Sequence, residues 1–436
     1  MSKRYRLRKL LAPTAGFRKA LGILVLGALI FAIGCGLSFH DVIEPALNWL
    51  EDVSRKSLAA VVPASQLDDA TWLLGGACLF LGFYLIVRGF ASALRHIMET
   101  INPDLRGGLV DVYRRRQQLA QGPRIVALGG GTGLSTLLRG LKQHSSNITA
   151  IVTVTDDGGS SGRLVQEKSI IPPGDMRNCL VALADAEKSM TDLFQHRFKK
   201  DSGSLSGHSM GNLLIAALVD QAHGDFEKAI EIASDVLAIR GRVVPSTLEH
   251  VTLRAVMENG VEVCGETKIV QSGLRIRRIF LAPDIPQPYK TALEAIEDAD
   301  LICIGPGSVY TSIIPNLLVA GVAEALEQSK AKKVYICNVM TQRGESDAFS
   351  ASEHITALQA NVDRRIFDYV IVNTGSPSET ARVKYGEAGQ HLVDADIDRI
   401  RAMGYKVLVG DFMNEDDMVR HDPMRLAARL AALVER

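Results

Sequence analysis

The stretch 124–135, RIVALGGGTGLS, decides how this chain is read. Its first seven residues form an apolar run closed by glycines, the pattern of a buried strand. A helical period follows over 134–143. Between the two, Gly129-Gly130-Gly131-Thr132-Gly133-Leu134-Ser135 makes a glycine loop at the carboxyl end of a first strand. Glycine lets backbone approach a phosphate closely, and a helix N-terminus points free N–H groups at it. The loop is not G-x-G-x-x-G, because Leu134 stands at the third glycine position. It is not a P-loop either, because no Gly-Lys-Ser/Thr follows. A purely structural glycine turn competes with this reading. The position at a strand's carboxyl end favours a phosphate or nucleotide site.

Outward from this loop the pattern alternates. Residues 148–155 (ITAIVTVT) are dense in β-branched side chains and read as a second strand. Helical periods cover 178–186, 211–222 and 226–237. The texture then changes to two short strands, 251–257 and 261–270, around the hairpin signal Glu258-Asn259-Gly260. Alternation resumes with apolar strands at 278–281, 301–304, 333–339, 369–373 and 407–409. Helices at 316–328, 350–360 and 423–434 lie between and after them. Strand and helix in alternation imply an α/β domain over 124–436, with a mostly parallel sheet covered on both faces and a small added β/α region.

Several strand ends carry chemistry instead of tight apolar turns. In Thr155-Asp156-Asp157-Gly158-Gly159-Ser160-Ser161-Gly162-Arg163, the paired acids Asp156 and Asp157 suit a divalent cation such as Mg²⁺, or a hydroxyl group. Arg163 offers a fork for phosphate. A solvated turn of the same composition is the competing reading. Pro172-Pro173-Gly174-Asp175-Met176-Arg177-Asn178 is a rigid turn entering a helix, where Asp175 serves equally well as N-cap or as ligand contact. In Gly207-His208-Ser209-Met210-Gly211-Asn212, Ser209 suits a cap, while His208 and Asn212 could face a ligand. A lone histidine is more often structural. Gly305-Pro306-Gly307-Ser308 and Asn338-Val339-Met340-Thr341-Gln342 end two further strands and would line the same sheet edge. The expected ligand set is therefore Gly129, Gly130, Gly131, Thr132, Gly133, Ser135, Arg163, Asp175, Asn178, His208, Asn212, Gly305, Gly307, Ser308 and Asn338, with Asp156 and Asp157 for metal. No tightly bound organic cofactor is expected.

The N-terminal part differs in kind. Residues 20–39 contain no charge in 20 positions, which at about 1.5 Å per residue spans the hydrocarbon of a bilayer. Residues 70–87 form a second uncharged run, with Trp72 and Tyr84 near its ends. The first 19 residues carry Lys3, Arg4, Arg6, Arg8, Lys9, Arg18 and Lys19 and no acid. Arg88, Arg95, Arg106 and 114–116 (RRR) follow the second run. Between the runs stand only Arg55 and Lys56, against six acids. Excess basic charge marks the cytoplasmic side. The expectation is a two-helix transmembrane hairpin over 20–87 in the cell (inner) membrane, with a basic cytoplasmic tail at 1–19. A juxtamembrane linker over 88–123 and the α/β domain would then be cytoplasmic. Ala32-Ile33-Gly34-Cys35 leaves a lipoprotein-type signal as the minor alternative.

Bulk composition fits this division. A length of 436 residues exceeds one ordinary compact domain, and 47% hydrophobic with 22% charged residues is globular. A formal net charge of zero gives no electrostatic argument for nucleic acid. The six cysteines stand alone, without a C-x-x-C pair, so a zinc site or redox dithiol is not expected. They read as reduced, mostly buried residues. Homo-oligomerisation is left open.

The segments GGGTGLS (129–135), TDDGGSSGRL (155–164), PPGDMRNCLVALA (172–184), GHSMGNLLIAAL (207–218), GPGSVYTSIIPNLLV (305–319) and NVMTQRGESD (338–347), in this order, resemble the CofD-like family. That family includes 2-phospho-L-lactate transferase and the YvcK-like gluconeogenesis factors, and the long fourth and fifth segments favour the YvcK-like branch. The resemblance implies a Rossmann-like sheet with an added smaller region and a pocket for a nucleotide-linked compound. On the YvcK-like side it implies UDP-sugar binding and control of cell wall and cell shape. On the transferase side it implies metal-dependent transfer of a phospholactyl group from a guanosine nucleotide to a deazaflavin alcohol. Carried over by position, Gly129 to Gly133 would meet phosphate, Asp156 and Asp157 would be the metal or hydroxyl acids, and Asn212 and Ser308 would line the pocket. Arg343 and Ser346 depart from the family pattern, where proline and threonine are expected, and the soluble members lack the N-terminal hairpin.

Overall fold

The computed structural model describes residues 40–59, 63–66, scattered positions between 69 and 90, and 109–436 apart from 186–187, 200, 416–417 and 435–436. The chain divides into two compact units, Met1–Arg116 and Gln117–Arg436. In the first, the expected span 20–39 lies outside the described residues and 70–87 is described only in part. Among the described residues no single helix is long and apolar enough to cross a membrane. The stretch expected as a loop between the two runs contains a helix, His40–Ala59. Its mixed charges hid it, although Glu51 and Arg55 form an i,i+4 pair on it.

The second unit is built on a seven-stranded sheet whose strands all run parallel. In chain order these are β1 (Ile125–Gly129), β2 (Ile148–Val152), β3 (Arg242–Pro245), β7 (Leu301–Ile304), β8 (Lys332–Ile336), β9 (Tyr369–Asn373) and β10 (Lys406–Gly410). Their spatial order is β10-β9-β8-β7-β1-β2-β3. The chain thus moves outward from β1 to one edge, returns to pair β7 directly with β1, and moves outward to the other edge. Ile125 has Ile148 on one side and Leu301 on the other. This is a Rossmann-like order, and its direction reverses between β1 and β7. In open α/β sheets that switch point leaves a crevice beyond the strand carboxyl ends.

Alternation along the strands explains why both faces are covered. Val126 and Leu128 of β1, with Ile302 and Ile304 of β7, point into one apolar core. Ile125 and Ala127, with Leu301 and Cys303, point into the other. Helices α1 (Gly131–Leu141), α2 (Gly159–Lys168), α3 (Pro173–Leu183) and α4 (Met210–Gln221) lie in the first half of this unit, and α6 (Pro423–Val434) closes it.

The added region between β3 and β7 is an antiparallel sheet of β4 (Thr252–Met257), β5 (Glu262–Cys264) and β6 (Ile276–Ala282), in the order β5-β4-β6. Two expectations change here. The run 261–270 is not one strand: it breaks at Gly265, where φ is +99°, and continues as helix α5 (Glu266–Gln271). The strand at 278–281 belongs to this antiparallel sheet and not to the parallel series. The run 316–328 is also divided, between the end of Ile314–Leu317 and Val322–Gln328, with Gly321 at φ +74° before the second.

Candidate functional site

The two glycine loops meet at the switch point. Helix α1 starts at Gly131, inside the glycine run, so the N–H groups of its first turn belong to the loop residues themselves. Gly131 has φ +63°, which a side chain would strain. A Cβ at Gly133 would overlap the Pro306 carbonyl oxygen, so glycine there is what lets the two loops touch. The opposing loop is held by Asn338. Its Oδ1 accepts from the Gly307 N–H at 3.1 Å and its Nδ2 donates to the Gly307 carbonyl at 2.9 Å. Ser308 Oγ donates to Gln342 Oε1 at 2.6 Å. A cleft of about 300 Å³ opens between these loops, lined by Gly130 to Gly133, Gly307, Ser308 and Asn338. Its far wall comes from Tyr385, Arg420 and His421, which the sequence reading did not single out. They stand some 250 to 290 residues after the glycine loop and follow no strand end in the alternating pattern.

Beside the cleft lies an acidic cluster. The paired acids of 155–163 part company. Asp157 turns to the start of α5, accepting from Thr267 N at 2.9 Å and Thr267 Oγ1 at 2.6 Å. It is a capping residue for that helix, with its Oδ1 committed there. The neighbours of Asp156 are instead Asp175 and Glu266. Asp175 is not the N-cap of α3; it sits within its first turn and accepts from the Gly131 N–H. Burial lifts its carboxyl to about 6 against that hydrogen bond, and the charge of Asp156 adds to the rise. Burial, then the charges of Asp156 and Asp175, push Glu266 well above the usual carboxylate range. Deeper in, burial raises Glu345 to about 7. Its Oε1 accepts from Thr311 Oγ1 and Gln342 Nε2, and its Oε2 is buried without a partner. Among the described residues no three His, Cys, Asp or Glu side chains come together as a metal cage. Asp156 and Asp175 still suit an ion that takes one or two carboxylates and completes its shell with phosphate and water.

The remaining expected residues have other places. His208 Nδ1 and Asn212 Nδ2 both meet Ser160 Oγ, at 2.9 and 3.2 Å, and so fasten the start of α2 to that of α4. Neither lines the cleft. Arg163 Nη2 donates to the Ser206 carbonyl at 2.6 Å, not toward the glycine loop. Gly159 to Gly162, for which a solvated turn is the competing sequence reading, form the first turn of α2. Gly129 and Gly305 sit behind the cleft, with Cα of Gly305 3.8 Å from where a Gly129 Cβ would be. Ser135 and Asn178 line a second, adjoining pocket. Ser209 caps α4 as expected, accepting from Asn212 N. Ser346 supplies the hydroxyl expected of a threonine, accepting from Gln342 N at 3.0 Å. Of the described cysteines, Cys179, Cys303 and Cys337 are buried, but Cys264 is exposed.

Comparison with known proteins bears on the same residues. The family described as 2-phospho-L-lactate transferase CofD matches residues 125–413, from β1 to the end of the sheet and beyond. The gluconeogenesis factor of Bacillus subtilis is 47% identical over 73% of this chain and 100% of its own length. That of Halalkalibacterium halodurans is 48% identical over 70% of this chain and 94% of its own. A relative from Nostoc sp. is 43% identical over 96% of this chain and 91% of its own, so similarity there extends into the N-terminal unit. A crystal structure of protein BH3568 from Bacillus halodurans superposes with a TM-score of 0.68 at 47% identity, covering 71% of this chain and 99% of that one. With its sheet, its loops and nearly its whole C-terminal unit matched, the chain belongs to the CofD family and, within it, to the gluconeogenesis-factor (YvcK-like) branch.

Proposed function

We propose that this protein binds a nucleotide-linked ligand of the UDP-sugar class across the β1/β7 switch point and acts as a regulator of envelope growth and cell shape, held at a membrane by its N-terminal runs. The observation that carries the binding is the meeting of Gly130 to Gly133, at the N-terminus of α1, with Gly307 and Ser308 across one cleft. The first-turn N–H groups beyond Gly131, whose own N–H is held by Asp175, favour phosphate there. Tyr385 and Arg420 on the far wall suit a base or sugar and a second contact to phosphate. Titrating the full-length protein with UDP-N-acetylglucosamine by calorimetry should give saturable binding, weakened at least tenfold in Tyr385→Ala. An absence of saturable heat with any UDP-sugar rejects the reading.

The acidic cluster favours a second reading, a metal-dependent transferase. Asp156, Asp175 and Glu266 crowd negative charge beside the phosphate loop, and a divalent cation such as Mg²⁺ would relieve it. Incubation with a phospholactyl guanosine nucleotide, a deazaflavin alcohol and Mg²⁺ discriminates. Product that disappears in Asp156→Asn supports the transferase; none at all supports the binding protein.

A further inference from the structure

Two motifs of the sequence, 172–178 and 207–212, do not build the wall of the cleft. The first supplies Arg177 and Asn178 to a neighbouring pocket, and the second packs against the arginines that line it. A pocket of about 250 Å³ adjoins the cleft and shares Thr132, Thr136 and Arg420 with it. Four arginines converge there, Arg139 from α1, Arg177 from α3, Arg197 and Arg420, and no acid lines it. Arg139 and Arg197 are exposed at the rim, while Arg177 is 8% exposed at the base.

The arrangement is constructed, not incidental. The Arg177 stem lies across Gly211, where a Cβ would fall 2.7 Å from its Cδ, so the glycine of the second motif makes room for the arginine of the first. Arg177 Nη2 donates to Asn178 Oδ1 at 2.8 Å, yet its Nε is buried without any partner. A buried guanidinium N–H left unpaired is costly and calls for an acceptor. Arg197 is pinned by donation from its Nη1 to the Gly207 carbonyl at 2.8 Å. Among the described residues none of the four forms a salt bridge with an Asp or Glu side chain. Arg197 lowers the proton affinity of Arg177, second only to burial, while the charges of Asp175 and Asp156 raise it. Four guanidinium forks around a small polar hollow match the oxygens of a phosphate-class dianion.

We infer that this arginine pocket is a second oxyanion site, which takes a phosphate group in addition to the one met by the glycine loop. The group is either a further phosphate on the ligand of the cleft or a separate phosphorylated small molecule bound beside it. Only that last distinction rests on the cleft being the nucleotide site.

The test uses full-length protein and inorganic phosphate, titrated by calorimetry against chloride at matched ionic strength. Wild type should bind phosphate saturably. The rim variant Arg139→Gln/Arg197→Gln should lose at least about tenfold in affinity, since each charge-assisted contact is worth that order. Arg399→Gln, an exposed arginine elsewhere, should bind like wild type. Circular dichroism melting checks that the rim variant is folded; if it is not, Arg139→Lys and Arg197→Lys singly, which keep charge but lose the fork, should weaken binding. A second titration is made with UDP-N-acetylglucosamine saturating. Phosphate excluded by it assigns the pocket to the ligand's own group, and phosphate bound additively assigns it to a separate molecule. No saturable phosphate binding in wild type, or binding undiminished in the folded rim variants, overturns the inference. Failure of the UDP-sugar alone to bind would count against the nucleotide reading and leave the phosphate result standing.

Discussion

Gly131 and Gly133 are glycines for different reasons, and substitution separates them. At Gly131 the nearest atom to an added Cβ is Ser312 Oγ at 3.8 Å, so a side chain fits in space but not at φ +63°. Gly131→Ala should therefore cost about 1 kcal/mol of stability, from the left-handed penalty, and weaken nucleotide binding. At Gly133 the added atom meets the Pro306 carbonyl, so Gly133→Ala must push the two loops apart. It should cost more in both urea denaturation and calorimetric affinity; equal effects would show that the loops do not close on each other. Two titrating groups beside the cleft act in opposite directions. His421 is buried, its Nε2 lacks a partner, and burial lowers it from 6.5 to about 4. Its contribution is present above about 6.5 and is lost as pH falls through 4, by roughly 3 kcal/mol. Glu345 is raised to about 7, so its contribution is present below its ordinary value near 4.5 and is lost as pH rises through 7. Urea melts across pH 4 to 8 should show both flanks, with the acid flank flattened in His421→Asn and the upper flank in Glu345→Gln. The sequence exposes the glycines because their chemistry is local. It hides Tyr385, Arg420 and His421 because they reach the cleft only through tertiary folding.

At the scale of elements, short apolar runs carried most of the sheet: β7 and β9 fall where periodicity puts them, and β8 and β10 within a few residues. What was missed has local causes. β3, Arg242–Pro245, opens on an arginine and closes on a proline, which leaves only two apolar residues to read. Helix α2 opens with Gly159-Ser160-Ser161-Gly162, poor helix formers, and is held instead by His208 and Asn212 on Ser160. Helix α5 was hidden in a strand-like run because Gly265 turns the chain and Asp157 caps the new element. That capping makes a prediction. Asp157→Ala should destabilise the fold by about 1 kcal/mol through loss of the cap, with ligand and metal affinity nearly unchanged. Asp156→Asn should do the reverse, because Asp156 faces Asp175 and Glu266 and relieves their repulsion when neutralised. Denaturation and Mg²⁺ titration of the two variants side by side decide it; matching profiles would return the acids to a single pair.

At the scale of the whole molecule, the two units differ in what their surfaces ask for. In the C-terminal unit the large apolar side chains are mostly in two cores. In the N-terminal unit Leu73, Phe80, Leu81, Phe83, Ile86 and Phe90 are all exposed, within or just after the second uncharged run. So dense a set of exposed apolar residues is expected of a surface that meets lipid or a partner. The run 20–39, uncharged over 20 positions, lies outside the described residues, but its length matches about 30 Å of hydrocarbon. Basic residues crowd both outer flanks, so the intervening segment should face away from the cytoplasm and the C-terminal unit should lie within it. Helix His40–Ala59 supplies an exposed reporter at Ser57, and Cys264 is an exposed native thiol in the C-terminal unit. Cys179, Cys303 and Cys337 are buried and should stay silent. In a background with Cys35 and Cys78 replaced by serine, Ser57→Cys should react with a membrane-impermeant thiol reagent on intact cells. Cys264 should react only after lysis. Labelling of Cys264 in intact cells would reverse the orientation and remove the protein from the cytoplasmic pool of nucleotide-linked ligands. Release of the full-length protein from membranes by alkaline carbonate would reject the hairpin itself.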